Sequence, residues 1–289
     1  MADPLVVGLG RDLFHDRDLS THKRLTCADC HQPAHGFAET RGSVPGVGRN
    51  TPTLQGITLR RAWGWDGRHD SLEDAILAPL AHPAEMGNRD LVEMLDRIGP
   101  RYGARIADAF GDEAVTAPRL AQAIVAFVAQ ADARGRLDLF LSGQRDALTD
   151  QELRGLHLFR TKARCLNCHS GPMLTDEGFH NLRLSAFGEA SQDLGRWKAT
   201  GLPNDAGRFR TPTLRGISRT APYMHSGHFA SLIGVVRFYA RGGGEVRARN
   251  AREAARSLFA EAAALSPLIN PLDLTEDDIA DLAAFLEAL

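Results

Sequence analysis

The chain has 289 residues and a formal net charge of -2, with 43% hydrophobic and 24% charged side chains. That length and balance describe a globular protein of one large or two ordinary domains. There is no polybasic block, which argues against a nucleic-acid partner, and no apolar run is long enough to span a bilayer.

Read in chain order, the pattern is mostly helical. Ser71-Leu72-Glu73-Asp74 opens a helix with a near capping box. An apolar-periodic run begins at Pro118 and continues through Ala131. The stretch from Asp132 to Leu148 holds an interdomain boundary, giving expected domains of residues 1–140 and 141–289. Thr149 with Glu152 caps the next helix, which leads toward Cys165. Ser231 starts a helix through about Tyr239, and Arg249 to Leu265 is Ala-rich and helical. Thr275 with Asp278 caps a final helix through Ala288, which is free to pack on either half. Few alternating runs suggest strands, so the fold class is mainly α.

The chemistry sits in two copies of one motif, Cys27-Ala28-Asp29-Cys30-His31 and Cys165-Leu166-Asn167-Cys168-His169, which together use every cysteine. A CxxCH places two thiols to form thioethers with haem vinyl groups and the following histidine to ligate iron. A thioredoxin-like redox pair and a four-cysteine zinc site are the competing readings. The long separation, the histidine after each pair and the repeated flanks favour two covalent haems, with His31 and His169 as proximal ligands. Haem attachment of this kind takes place outside the cytoplasm. With no signal peptide visible at Met1–Leu5, the chain is expected as a mature periplasmic form.

The sequence is internally duplicated. Asn50-Thr51-Pro52-Thr53-Leu54-Gln55-Gly56-Ile57 is echoed by Arg210-Thr211-Pro212-Thr213-Leu214-Arg215-Gly216-Ile217, an offset of 160 that also matches Gly67 with Gly227 and Ser71-Leu72 with Ser231-Leu232. The haem motifs are offset by only 138, so the second half has a longer loop, expected within Ser185 to Gly207. Each half reads as one cytochrome-like unit with its haem pinned near its start.

The same offset sets Tyr239 opposite Pro79. Tyrosinate can ligate haem iron, whereas proline has no donor. The expected result is asymmetric, with the second haem closed by His169 and Tyr239 and the first open opposite His31. Met224, whose counterpart is Gly64, and His225 compete with Tyr239 as ligands, and core packing is its bland alternative. Glu85, just after the helix carrying Pro79, is a candidate acid–base group for peroxide at the open haem, or else a solvated loop carboxylate. Met86 is a lesser ligand candidate that reads more readily as packing, and His35, with poor reach as a ligand, reads as a propionate or surface histidine. Trp65, the counterpart of His225, is a candidate electron relay or a core aromatic. Arg68 is a candidate partner for a haem propionate or a solvent-facing side chain.

Together these residues resemble the bacterial di-haem cytochrome c peroxidase and MauG family, from about Leu9 to Leu286. The resemblance rests on the two CxxCH motifs, the Asn-Thr-Pro segment, Trp-Asp-Gly-Arg, Pro-Ala-Glu-Met-Gly and Thr-Ala-Pro-Tyr-Met-His-Ser-Gly. It implies two mostly α-helical, cytochrome c-like domains, the first haem peroxidatic and the second for electron transfer. It also implies Trp65 as the tryptophan between the haems and Glu85 as the distal acid–base residue. A calcium site between the domains would be formed by Asn50 and by the carbonyls of Thr220 and Pro222. Tyr239 stands where the classical peroxidases have methionine and MauG-like members have tyrosine. The chain also lacks a histidine between Gly42 and Arg49 to close the first haem, so that site should need no reductive activation. Pro79 matches the distal proline of the MauG-like pocket. Ala75 departs from the usual glutamine, and Ala163 stands where MauG has a surface tryptophan, which leaves the electron exit route open. The expected activity is peroxide activation coupled to oxidation of a periplasmic partner protein, with tryptophan modification as one outcome. A conventional peroxidase fed by a small cytochrome or cupredoxin, and a non-enzymatic electron carrier, are the alternatives.

Overall fold

The computed structural model describes residues 2–131 and 134–289. The chain divides into two compact units. One is Met1–Trp63 with His69–Ala133, and the other is Gly64–Arg68 with Arg134–Leu289. Both are helical, and the described residues form a single two-stranded sheet.

The first unit contains α1 (Pro4–Phe14), α2 (Cys27–Cys30), α3 (Leu72–Ala81), α4 (Leu91–Phe110) and α5 (Ala117–Val128). Helix α1 starts at Pro4, where a missing N–H costs nothing, and Asp3 accepts from Leu5 N–H as its cap. It packs on α5 and α4, burying Leu9, Leu13 and Phe14 against Ile98, Tyr102, Ile106, Leu120 and Ile124. Tyr102 keeps its hydroxyl satisfied inside this core by donating to Asp16 Oδ2 at 2.7 Å. The Pro118 periodic run is α5, and it ends at Val128 rather than Ala131.

The second unit contains α6 (Arg136–Leu141), α7 (Asp150–Arg160), β1 (Phe179–Asn181), α8 (Trp197–Thr200), β2 (Arg208–Arg210), α9 (Leu232–Ala240), α10 (Ala251–Ala254), α11 (Phe259–Ala263) and α12 (Glu276–Leu286). Helices α7 and α12 start at the expected capping boxes, Thr149 with Glu152 and Thr275 with Asp278. Helix α12 packs on α7 and α9, which fixes the last helix within the second unit. Strands β1 and β2 pair antiparallel, with His180 opposite Phe209.

Two boundaries differ from the sequence expectation. Helix α6 lies before residue 141 yet belongs to the second unit, because Leu137 is buried with Ala288 and Leu289 and its N–H donates to Ala288 O at 3.2 Å. Gly64–Arg68, expected in the first domain, also belongs to the second unit, for reasons given below. Asp132, where the boundary stretch was expected to open, lies outside the described residues. The Ala-rich run from Arg249 to Leu265 is not one helix. It breaks at Leu258, whose φ is 67°. Most residues from Ala251 to Ser257 are exposed, and helix propensity without a buried face does not hold a long helix.

One contact recurs in both units and rests on glycine. A Cβ on Gly10 in α1 would lie 1.8 Å from Ala123 O of α5, and one on Gly155 in α7 would lie 2.0 Å from Asp281 O of α12. Each pair of helices crosses backbone to backbone, and only hydrogen fits at the crossing. Gly155→Ala is expected to destabilise the haem-loaded protein by about 1–3 kcal/mol through overpacking. Denaturant unfolding checks this, and an unchanged midpoint would mean the helices separate without cost.

Candidate active site

The two CxxCH segments hold their histidines alike, although the first is a short α-helix and the second a 3-10 turn entered through Arg164 at a φ of 54°. In the first, Thr26 caps α2, its N–H and hydroxyl both donating to Asp29 Oδ2 at 2.7 and 3.0 Å. His31 Nδ1 lies 3.1 Å from Phe37 O, and His169 Nδ1 lies 3.0 Å from Leu174 O. A carbonyl only accepts, so each Nδ1 carries the proton and each Nε2 keeps its lone pair. Burial also pushes the His31 imidazole down to about 4 and lowers His169, so both rings are neutral at ordinary pH. A neutral histidine with Nδ1 held by a carbonyl is what an iron ligand requires.

The thiols point the same way. Burial raises Cys27 and Cys165 to about 12 and Cys168 to about 11, and it also raises Cys30. A dithiol redox centre needs a thiol acidified by its surroundings, and here all four are shifted in the opposite direction. No disulfide joins them. Cys168 does lie with Asp176 and His180 in a cluster of metal-ligand type, but Asp176 is already paired to His180 Nε2 at 2.8 Å. The donor set fits two thioether-bound haems.

The repeat extends beyond sequence into hydrogen bonds. Thr213 Oγ donates to Met173 O at 2.6 Å, next to the carbonyl that holds His169, and Thr53 Oγ donates to Gly36 O in the same relation to His31. Gly56 and Gly216 both have φ of 63°. Trp63 Nε1 and Tyr223 Oη, different residues at equivalent positions, donate to Ile57 O and Ile217 O, each at 3.2 Å. Helices α3 and α9 are capped at their first turns by Ser71 and Ser231. Pro79 and Tyr239 therefore occupy equivalent places on equivalent helices.

What surrounds those two positions differs. Tyr239 is raised above the ordinary phenol range, chiefly by burial and then by Cys165 and Cys168, so its hydroxyl end lies within electrostatic reach of the second motif. In the first unit Glu85 acts in the same way on Cys30, together with Glu39. Glu85 sits in the turn after α3, where its N–H donates to His82 O at 3.0 Å. Its carboxylate is 3.9 Å from His82 Nδ1 and partly exposed. Met86 is buried in the first core, as packing, and His35 is exposed. Met224 takes the left-handed backbone of its counterpart Gly64, with φ of 70° against 80°.

Trp65 is buried and belongs to the second unit. Its ring meets His225 edge-on at 6.4 Å, and His225 stacks on Phe209 at 3.6 Å. The chain leaves the first unit after Trp63 and returns at His69, so Trp65 rides on a five-residue excursion. Arg210 anchors that excursion. Its N–H donates to Trp65 O at 2.8 Å and its Nε to Gly64 O at 3.2 Å. Its guanidinium, almost fully buried, pairs with Glu177 at 3.0 Å. A Cβ on Gly67 would strike Phe179 at 2.5 Å. Arg68 gives its guanidinium to Asp66 at 2.8 Å. Asn50 is buried in the first unit, and Thr220 and Pro222 are half-buried in the second. Ala163 is buried, so that position presents no surface side chain. Sequence reading missed Arg210 and Glu177. The available signal was that the repeat sets Arg210 opposite Asn50, a cation opposite a candidate cation ligand.

Comparison with known proteins settles the family. Residues 4–146 match the family model for di-haem cytochrome c peroxidase. Cytochrome-c peroxidase IdrP1 of Denitromonas iodatirespirans is 33% identical, over 98% of this chain and 81% of the relative. Methylamine utilization protein MauG of Methylorubrum extorquens is 34% identical, over 100% of this chain and 80% of the relative. A crystal structure of a MauG-like protein associated with microbial copper homeostasis superposes with a TM-score of 0.88 at 32% identity, covering 100% of this chain and 90% of that one. The chain belongs to the di-haem cytochrome c peroxidase and MauG family. It is thus a di-haem oxidoreductase acting on peroxide, with two c-type haems as cofactors. The reading as a mere electron carrier falls away. No helix among the described residues is long and apolar enough to cross a membrane.

Proposed function

We propose that the protein activates hydrogen peroxide at the haem of its first unit and draws the electrons, through Trp65 and the second haem, from a partner protein in the periplasm. The observation that carries this reading is the contrast at one repeat position. Pro79 has no donor atom, whereas Tyr239, at the equivalent place on the equivalent helix, offers a phenol within electrostatic reach of Cys165 and Cys168. With haems bound, the first site would leave room for peroxide, and the second would offer Tyr239 to its haem as well as His169.

Cys27, Cys30 and His31 would hold the first haem, and Cys165, Cys168, His169 and Tyr239 would hold the second. The bound haems supply the redox chemistry, in which one peroxide takes two electrons and two protons to give two waters. Glu85 moves a proton between the peroxide oxygens, from the one that binds to the one that leaves as water. Pro79 would line the first site and has no side-chain atom with which to ligate. Trp65, buried and edge-on to His225, relays electrons between the units. Arg68 steadies a haem propionate from beside Asp66. Calcium completes the cofactors, with Asn50 and the carbonyls of Thr220 and Pro222 as its oxygen ligands. A partner that yields electrons from its own aromatic side chains would emerge modified, tryptophan being one such target.

A second reading is favoured by the relatives named cytochrome-c peroxidase. In it, a small cytochrome or cupredoxin supplies the electrons and peroxide removal is the purpose. Rapid turnover with reduced cytochrome c would favour that reading, and slow turnover with a long-lived oxidised state the first.

Glu85→Gln is expected to slow the reaction with peroxide by about 10²–10⁴-fold while both haems stay attached, as stopped-flow spectra would show. An unimpaired rate would remove the acid–base role. Tyr239→Phe should alter the low-spin EPR signal of the second haem and leave the first unchanged. An unaltered signal would return Met224 to consideration as the ligand. Chelation of calcium should perturb the haem spectra reversibly, with calcium restoring them and magnesium failing to. A chelated protein with unchanged spectra and activity would dismiss the ion.

A further inference from the structure

A carboxylate stands at the same place in both haem-binding turns. Phe37 O holds His31 and Leu174 O holds His169. Two residues on from each carbonyl is an acid, Glu39 in the first turn and Asp176 in the second. The carbonyls are offset by 137 (174 minus 37), and so are the acids (176 minus 39). The CxxCH motifs alone, with their offset of 138, would set Glu39 against Glu177 instead. The hydrogen bonds to the histidines fix the true register.

Each acid lies beside the second cysteine of its motif. Asp176 N–H donates to Cys168 O at 2.7 Å, and its carboxylate is within 4.8 Å of the Cys168 sulfur. After burial, Asp176 is the charge that raises the Cys168 thiol. At Cys30 burial again comes first and Glu39 is the leading charge, ahead of Arg41, Glu85 and Asp29. Cys30 and Cys168 become thioethers when haem is attached, so a charge felt at either sulfur is felt at the edge of that haem.

Neither acid is an ordinary surface charge. Glu39 is fully buried. Its Oε2 accepts from Arg41 Nε at 3.1 Å and pairs with Arg41 Nη2 at 3.0 Å. Its Oε1 is buried with no hydrogen-bond partner among the described residues. An interior carboxylate oxygen left without a hydrogen bond is costly and calls for a reason beyond stability. Asp176 is half-buried. Burial opposes its charge, but hydrogen bonds from His180 and from Gly178 N–H outweigh that and hold its carboxyl below the ordinary range. Both donors lie at 2.8 Å. The far ring nitrogen of His180 lies 3.1 Å from Ser266 Oγ, so His180 can donate to Asp176 as a neutral imidazole. The counter-charge at Glu39 is Arg41, at 57% exposure and therefore screened by water.

We propose that Glu39 and Asp176 set the reduction potentials of the two haems, each in its own unit, by holding a negative charge beside the second thioether. Local charge and burial are levers by which a protein tunes a haem. Adding an electron beside a fixed anion is disfavoured, so each acid favours the oxidised form of its haem. The inference needs two attached haems. It does not need the peroxide reading, since potentials are measured without peroxide.

The test is a reductive titration of the haem-loaded protein, with visible and EPR spectra reporting the two haems separately. Glu39→Gln should make reduction of the first haem about tenfold more favourable, a rise of ~59 mV for a one-electron couple, and move the second haem less. Asp176→Asn should do the reverse. Glu39→Asp keeps the charge and should stay near the parent. Arg41→Gln removes the opposing cation from an exposed position and should lower the first potential. It reads the same field without disturbing a buried group, so it decides the first site if Glu39→Gln fails to take up haem. Parental potentials in Glu39→Gln and Asp176→Asn would overturn the proposal. So would an unchanged or raised first potential in Arg41→Gln, or a shift in Glu39→Asp as large as that in Glu39→Gln. Failure of the peroxide reading is distinct, since the parent would then show no spectral response to peroxide whatever its potentials.

Discussion

Everything the two sites can do depends on the hydrogen bond from each proximal histidine Nδ1 to a backbone carbonyl, Phe37 O for His31 and Leu174 O for His169. It fixes the tautomer, aims Nε2 and limits ring rotation. Supports of this kind are worth about 10–100-fold in metal affinity or activity. The carbonyl is itself held, since Thr53 and Thr213 each donate to the carbonyl just before it. The Thr-Pro-Thr segment thus braces the proximal turn of each haem, which gives a physical reason for its repetition. Its left-handed glycines, Gly56 and Gly216, then turn the chain toward the distal helix.

On that shared scaffold, the proposed division of function rests on substitutions carried by equivalent helices. Pro79 and Tyr239 ride on helices with the same serine cap. Proline inside α3 forfeits one helix hydrogen bond, a cost the fold carries near the end of the helix, where the turn holding Glu85 begins. The same economy appears where Trp63 and Tyr223 donate to equivalent carbonyls from different rings. A duplicated unit can change its distal chemistry because its proximal chemistry is fixed by backbone geometry.

The features legible in sequence were those with local causes. The capping boxes of α7 and α12 and the serine caps of α3 and α9 are short-range hydrogen bonds between residues three apart. The CxxCH motifs, the 160-residue offset and the Pro79–Tyr239 contrast needed only alignment of the chain with itself. What was not legible depends on contacts distant in sequence. Nothing in the local sequence singles out Gly10 or Gly155, yet they mark helix crossings at backbone distance. Helix α6 looks like linker until Leu137 meets Ala288. The run from Arg249 to Leu265 has helix propensity without a face to bury, so propensity misled.

The excursion of Gly64–Arg68 into the second unit shows why such contacts cannot be guessed from composition. Burying Arg210 against Glu177 withdraws two charges from water, and the pair seldom repays that cost in stability. What it supplies is definition. A guanidinium is a planar fork, and this one reaches Gly64 O and Glu177 at once while its own backbone N–H takes Trp65 O. An apolar side chain could fill the volume but could not set the path of residues 64–68. The relay proposed for Trp65 needs that path, because electron transfer is sensitive to the placement of the ring. Arg210 occupies the repeat position of Asn50, so the second half has a resident cation where the first half has the proposed calcium ligand. On the proposed calcium reading, the duplicated segment would organise its surroundings through positive charge in both halves, carried covalently in one and recruited from solution in the other.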